Sequence, residues 1–296
     1  MTNEQASTSR WRAFWERGGW RKAVLVAAVY MALYLGVGWL IGKLWGGAIT
    51  EGGPLGSAIN VLLYLVLPIG IGAVIIVVFL LLSGLARRVF AVQPVRGRWW
   101  MWIAVAVVAY PIVLRLIGID YASFAPGVVP LTLLAGVFIG VAEELVTRGA
   151  AVTLLRNAGH SELVVAVLSS TIFALMHTAN AIGAGFTLTV LITIPYTFCF
   201  GICMYLVMRA TGSIVWAIVA HALTDPTLFL STGGIDTAAA GQQNGFLIIA
   251  STGNWTVILM GIVALFFIRG RADYGVTATR SSTAMTTGAF ATPPDK

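Results

Sequence analysis

Residues 128–155 read VVPLTLLAGVFIGVAEELVTRGAAVTLL. As a helix this run extends about 42 Å at ~1.5 Å per residue, enough to cross the ~30 Å hydrocarbon core of a bilayer. Glu143 and Glu144 fall inside it, where a charge costs roughly 2.5–3.5 kcal/mol on insertion scales. The run therefore reads as a membrane-spanning helix that carries ionisable groups at mid-depth. Apolar stretches of comparable character lie at 23–42, 55–85 and 99–117 before it, and at 163–178, 186–208, 214–230 and 246–268 after it. The expected fold is an all-α polytopic membrane protein of about eight transmembrane helices. Its organisation is a basic, aromatic N-terminal segment (1–22), an eight-helix membrane domain (23–268) and a Thr-, Ser-, Ala- and Gly-rich tail (269–296) expected to be disordered.

Composition agrees. The chain has 296 residues, 58% hydrophobic and only 10% charged, against about 45–50% apolar and about 25% charged for soluble domains. Mean hydropathy is +0.91. These values exclude a soluble enzyme, a disulfide-stapled secreted module and a disordered chain. The net charge of +7 and pI near 9.8 would suggest nucleic acid in a soluble protein, but position gives them another meaning. Sixteen of the eighteen basic residues fall on one side of the eight-span arrangement: the N-terminal group from Arg10 to Lys22, Arg87, Arg88, Arg96, Arg98, Arg148, Arg156, Arg209, Arg269, Arg271, Arg280 and Lys296. Only Lys43 and Arg115 oppose them. Cytoplasmic loops are enriched in Lys and Arg, so both termini are expected to be cytoplasmic in a cell membrane. The bilayer, and not nucleic acid, is the expected partner of the basic surplus.

The N-terminus is not expected to be a cleaved signal peptide, because its polar region is long and no A-x-A-like site follows the first apolar stretch. Trp11, Phe14, Trp15 and Trp20 alternate with bases there, as in an interfacial helix or an aromatic belt leading into the first span. Cys199 and Cys203, four apart in the sixth span, read as small apolar core residues too far apart for a disulfide on an unbroken helix. No internal repeat of the inverted-transporter kind is visible.

The ionisable groups inside the spans are few. Arg115, near a span end, is expected to snorkel to the interface. The others make three patterns. Glu144 and Arg148 stand at i and i+4, oriented as an ion pair, while Glu143 lies about 100° around the helix with no local partner. One carboxylate is thus neutralised and the other is left for acid–base work. Phe173 and His177 share a face of the fifth span, and His221 and Asp225 stack at i and i+4 in the seventh. Counted from the hairpin near 157–160, Glu143 and His177 lie roughly 20 and 25 Å up two antiparallel helices, and Asp225 about 20 Å from the turn near Thr211. The six groups Glu143, Glu144, Arg148, His177, His221 and Asp225 are expected to share one cavity. Two carboxylates, two imidazoles and an Arg suit water activation and oxyanion stabilisation, or equally a proton relay. With no Ser or Cys nucleophile beside a base, a hydrolase would use water directly.

Taken together, E-E-x-x-x-R (Glu143, Glu144, Arg148), F-x-x-x-H (Phe173, His177) and H-x-x-x-D (His221, Asp225) on successive spans resemble the CPBP family of intramembrane endopeptidases, the CAAX-protease and bacteriocin-processing group, over residues 128–230. The resemblance implies hydrolysis of a peptide bond in a membrane-embedded cavity of a protein or peptide substrate, lipidated substrates included. It implies Glu143 as the base with His177 assisting, Glu144 and Arg148 ordering the site, and His221 with Asp225 binding the oxyanion or positioning water. Phe173 would support the His177 rotamer. Where many relatives carry Asn, this chain has Asp225, whose ionised form would repel an oxyanion. Asp225 must then be protonated, orient His221 or engage a metal. Zn²⁺ stays open as a cofactor, since two histidines and a carboxylate can hold it with a free position. The topology leans toward a cavity open to the cytoplasm. A proton-coupled transporter and a non-catalytic immunity or scaffold protein are the alternative functions.

Overall fold

The computed structural model describes residues 3–185, 187–235 and 244–272. A first helix, α1 (Asn3–Glu16), precedes eight helices long and apolar enough to cross a membrane among the described residues. These are α2 (Trp20–Ala48), α3 (Ala58–Ser83), α4 (Met101–Gly118), α5 (Val128–Asn157), α6 (Glu162–Asn180), α7 (Leu188–Thr211), α8 (Ile214–Thr232) and α9 (Gly245–Leu265). The expected spans are therefore present, each shifted by a few residues. Phe186 and the tail from residue 273 lie outside the described residues.

Each of the eight spans α2–α9 is predominantly apolar, as a lipid-embedded bundle requires. Side chains such as Val74, Leu82, Leu259 and Phe266 are exposed on the outside, while Ile76, Leu80, Leu154, Ile202 and Met208 fill the interior. Local chemistry sets the helix starts: the Ser161, Ser213 and Asn244 side chains accept hydrogen bonds from the first-turn amides of α6, α8 and α9. Trp15 of α1 is buried and stands edge-on to Phe79 of α3 at 4.9 Å, while Trp11 and Phe14 stay exposed.

The connections gather at two ends. At the first, Gly19 N donates to Leu154 O, Gln93 N to Gly212 O and Glu162 N to Gly270 O, each at 2.8–2.9 Å, and Arg88 reaches Asn157 Oδ1 at 2.8 Å. This end holds most of the basic residues. At the opposite end Asn244 Nδ2 donates to Gly118 O at 2.7 Å.

Two spans are interrupted by π-helical turns: Leu62–Val66 in α3, just before Pro68, and Leu145–Ala151 in α5, directly after the paired glutamates. Such turns widen a helix by one residue and often mark functional positions. Pro226, beside Asp225 in α8, lacks the N–H that would bond to Ala222 O.

Candidate active site

The site begins with a close approach of two helices. On α5, a Cβ at Gly136 would lie 2.5 Å from Ala222 O, and one at Gly140 would lie 2.6 Å from Ile218 O, both on α8. Only the bare backbone of glycine allows that separation, the small-xxx-small contact through which membrane helices pack. One turn beyond Gly140 the same contact brings Glu144 against His221.

Glu144 is fully buried. Its Oε1 accepts from Arg148 Nη1 at 2.9 Å and from His221 Nδ1 at 2.8 Å. Arg148 also donates to Thr147 Oγ1 at 2.6 Å, and Thr147 in turn donates to Glu143 O at 2.6 Å. The guanidinium lies over the Phe173 ring at 4.6 Å, a cation–π contact strengthened by desolvation. Gly201 of α7 leaves room for it: a Cβ there would sit 3.0 Å from Arg148 Nη2. The expected Glu144–Arg148 pair is thus present in the interior, and its second partner, His221, is not visible from residue spacing.

His221 is 1% exposed, with Phe173 and Phe200 edge-on at 5.7 and 5.1 Å. Its Nε2 faces Glu143 Oε2 at 3.7 Å and Asp225 Oδ2 at 3.6 Å. Both are beyond hydrogen-bond length and leave the three groups within reach of one shared water. An imidazole with carboxylate oxygens facing both nitrogens suits the doubly protonated ring, which alone donates from both. Glu143 Oε2 has no hydrogen-bond partner among the described residues. His177 sits where α6 tightens into a 3₁₀ turn. Its Nδ1 meets Phe173 O at 2.9 Å and its ring stands edge-on to Phe173 at 4.7 Å. A carbonyl partner makes Nδ1 the donor, and in the neutral ring Nε2 is then the acceptor.

Glu143, His177 and Asp225 line one cavity of about 710 Å³, together with Tyr30, Tyr34, Tyr64, Tyr196 and apolar side chains such as Ile69, Ile139, Phe229 and Ile258. The cavity runs from mid-bundle toward Pro54, Asn180, Ile235 and Leu247. These residues belong to the end opposite the basic connections, so the cavity does not open on the basic side toward which the topology leaned.

The arrangement does not fit a zinc ion. No three His, Cys, Asp or Glu side chains among the described residues are grouped to hold a metal.

Arg148, Arg156 and Arg209, counted among the charges of the basic side, are buried: all three are 2–3% exposed. Arg156 grips Glu162 through two bonds of 2.9 and 2.7 Å, Arg209 donates to the same carboxylate at 2.8 Å, and Tyr205 donates to it as well. This cluster locks α5, α6 and α7 at the basic end, away from the cavity. Glu162 opens α6 directly after its capping serine, and nothing in its flanks announces that it is buried. Arg115 does not snorkel outward. It is 3% exposed and lines the cavity wall beside Tyr196 and Asn254. In the last turn of α4 its stem can reach either way, so spacing alone did not decide. Cys199 and Cys203 are free and buried, as expected.

Residues 125–227 match the family model described as Rce1-like, type II CAAX prenyl endopeptidase. Neither a curated protein nor a solved structure matches the chain. The matched segment spans α5 to α8, the helices that contribute Glu143, Glu144, Arg148, His177, His221 and Asp225. In residues 125–227 the chain is similar to the Rce1-like CAAX endopeptidases, a hydrolase family, and that segment lies within a multi-pass membrane protein with eight apolar helices among the described residues.

Proposed function

We propose that the chain hydrolyses a peptide bond in its cavity by direct attack of water, with Glu143 as general base. The observation that carries this reading is the convergence of three helices on one cavity: Glu143 from α5, His177 from α6 and Asp225 from α8 line it, and His221 backs it. Glu143 takes a proton from water as the water oxygen adds to the scissile carbonyl carbon. His177, bonded through Nδ1 to Phe173 O, orients that water with its Nε2 lone pair. The carbonyl electron pair moves onto oxygen, where His221 Nε2–H supports the negative charge. Glu143 then returns the proton to the amide nitrogen, the C–N bond breaks, and a carboxylic acid and an amine result.

Glu144 and Arg148 act through His221. Glu144 holds its Nδ1, and Arg148 neutralises Glu144 so that a carboxylate survives at a depth where charge is costly. Asp225 lies 3.6 Å from His221 Nε2, which favours a role in orienting His221 over direct contact with the oxyanion.

The substrate class is a protein or peptide, with lipid-modified chains suited to the apolar wall of α3. The basic end is assigned to the cytoplasm of a cell membrane, with both termini there. The cavity is then entered from the opposite face or laterally from the bilayer. Comparison of membrane peptides from cells carrying the unchanged chain and Glu143→Ala tests the activity: uncleaved precursors accumulate in the variant. Identical peptide patterns would contradict it.

A further inference from the structure

α1 takes no part in the chemistry above, yet it is fixed to the bundle with aromatic rings left uncovered. Gly18 and Gly19, at φ of 65° and 124°, turn the chain between α1 and α2, a conformation that favours glycine. A Cβ at Gly18 would lie 2.2 Å from Leu154 O, and Gly19 N donates to that same oxygen at 2.8 Å. The turn is thus seated on the last part of α5. Trp15 anchors the helix, 5% exposed and edge-on to Phe79 of α3. Trp11 and Phe14 stand edge-on to the Trp15 ring at 5.4 and 5.1 Å, but remain 45% and 44% exposed.

At about 100° per residue, Trp11, Phe14 and Trp15 share one sector of α1, and Arg10 and Arg12 fall about 100° to either side of Trp11. Both arginines are exposed, as are Arg17 in the turn and Arg21 beside the exposed Trp20. Residues 10–22 hold five bases, Arg10, Arg12, Arg17, Arg21 and Lys22, against one acid, Glu16. The Arg12 stem lies along Gly84, where a Cβ would be 3.4 Å from its Cδ, and the exposed Arg87 and Arg88 follow Gly84 in the chain. An apolar sector flanked by arginines matches a bilayer interface, with rings among the acyl chains and guanidinium groups at the phosphates. We propose that α1 is an interfacial helix that binds anionic phospholipid at the basic end of the bundle. Neutral phospholipid offers the same acyl chains but no net charge to the arginines, so lipid charge is what α1 discriminates. The attraction grows with each base and is screened by salt.

Lipid binding by α1 depends neither on the peptidase reading nor on which end faces the cytoplasm. The native thiols are buried, so full-length Trp11→Cys can carry a single apolar NBD fluorophore in place of the indole. It is placed in nanodiscs of phosphatidylcholine alone, or of phosphatidylcholine with phosphatidylglycerol, each with a trace of lipid spin-labelled high on the acyl chain. Quenching by the spin label is expected to be at least about twofold greater in the anionic nanodiscs. The excess should disappear at about 1 M salt, where the Debye length is about 3 Å. It should also disappear when Arg10→Gln, Arg12→Gln, Arg17→Gln and Arg21→Gln are added together, four exposed positions whose change should leave thermal unfolding as it was. A fluorophore that stays in water, unquenched in both compositions, overturns the proposal and leaves the uncovered rings to a soluble partner. Equal quenching in both compositions overturns it too, by reducing α1 to an aromatic collar indifferent to lipid charge. An excess that persists without the four arginines overturns it as well, by placing the anionic-lipid site elsewhere on the basic end.

Discussion

Gly140→Ala tests whether the contact between α5 and α8 is what assembles the site. The added methyl would lie 2.6 Å from Ile218 O, 2.8 Å from Ala222 N and 2.9 Å from Ala222 Cβ. Ordinary carbon contacts need about 3.5 Å, so the helices must part locally by about 0.9 Å, and backbone atoms cannot swing aside as a side chain can. Glu144 lies one turn along α5 and His221 lies between Ile218 and Ala222 on α8. Their 2.8 Å bond would lengthen to about 3.7 Å, beyond hydrogen-bond range. A hydrogen bond to a charged group contributes about 1.5–3 kcal/mol, which corresponds to roughly 10- to 150-fold in rate if the aligned His221 is needed in the transition state. The assay is kcat on a cleaved peptide in nanodiscs, with thermal unfolding measured alongside. Loss of at least tenfold in kcat with the protein still folded is expected, although residue 140 touches no reactant. Wild-type kcat in Gly140→Ala would refute the argument that helix spacing sets the catalytic geometry.

Glu162→Ala leaves Arg156 and Arg209 buried without their shared carboxylate; breaking a buried pair costs about 3–5 kcal/mol, so a large fall in unfolding midpoint is expected, and a change under about 1 kcal/mol would contradict the network. Cysteine labelling tests orientation. The native thiols are buried, so an impermeant maleimide on intact cells should label Thr232→Cys at the cavity end and spare Arg87→Cys at the basic end. The reverse pattern would place the cavity toward the cytoplasm. Arg148→Met removes the cation that neutralises Glu144; it should lower both stability and kcat, whereas loss of kcat alone would assign Arg148 to the chemistry itself.

Much of this was legible because the bilayer imposes a simple rule. A span must be long, apolar and helical, and the eight spans follow from that. The same rule made Glu143, Glu144, His177, His221 and Asp225 conspicuous, since charge at depth needs a reason. What the sequence hid were features set by neighbours distant in the chain. Glu144 carries no mark that His221 will be its second partner, because the approach depends on Gly136 and Gly140 meeting backbone atoms of α8. Arg156 and Arg209 resemble topogenic loop charges at span ends and are instead drawn inward by Glu162. Arg115 has a stem that reaches the interface or the interior equally well, and the cavity between α4, α7, α8 and α9 decides for the interior. The π turn at Leu145–Ala151 is likewise invisible to a 3.6-residue period.

The central claim is that Glu143 is the base that activates water. The most direct measurement is single-turnover cleavage by purified Glu143→Gln in nanodiscs, on the precursor that accumulates in cells. A positioned base contributes about 10²–10⁴-fold, so cleavage at least 100-fold slower than the unchanged protein is predicted, with substrate binding retained. Cleavage within a few-fold of the unchanged rate would contradict the account.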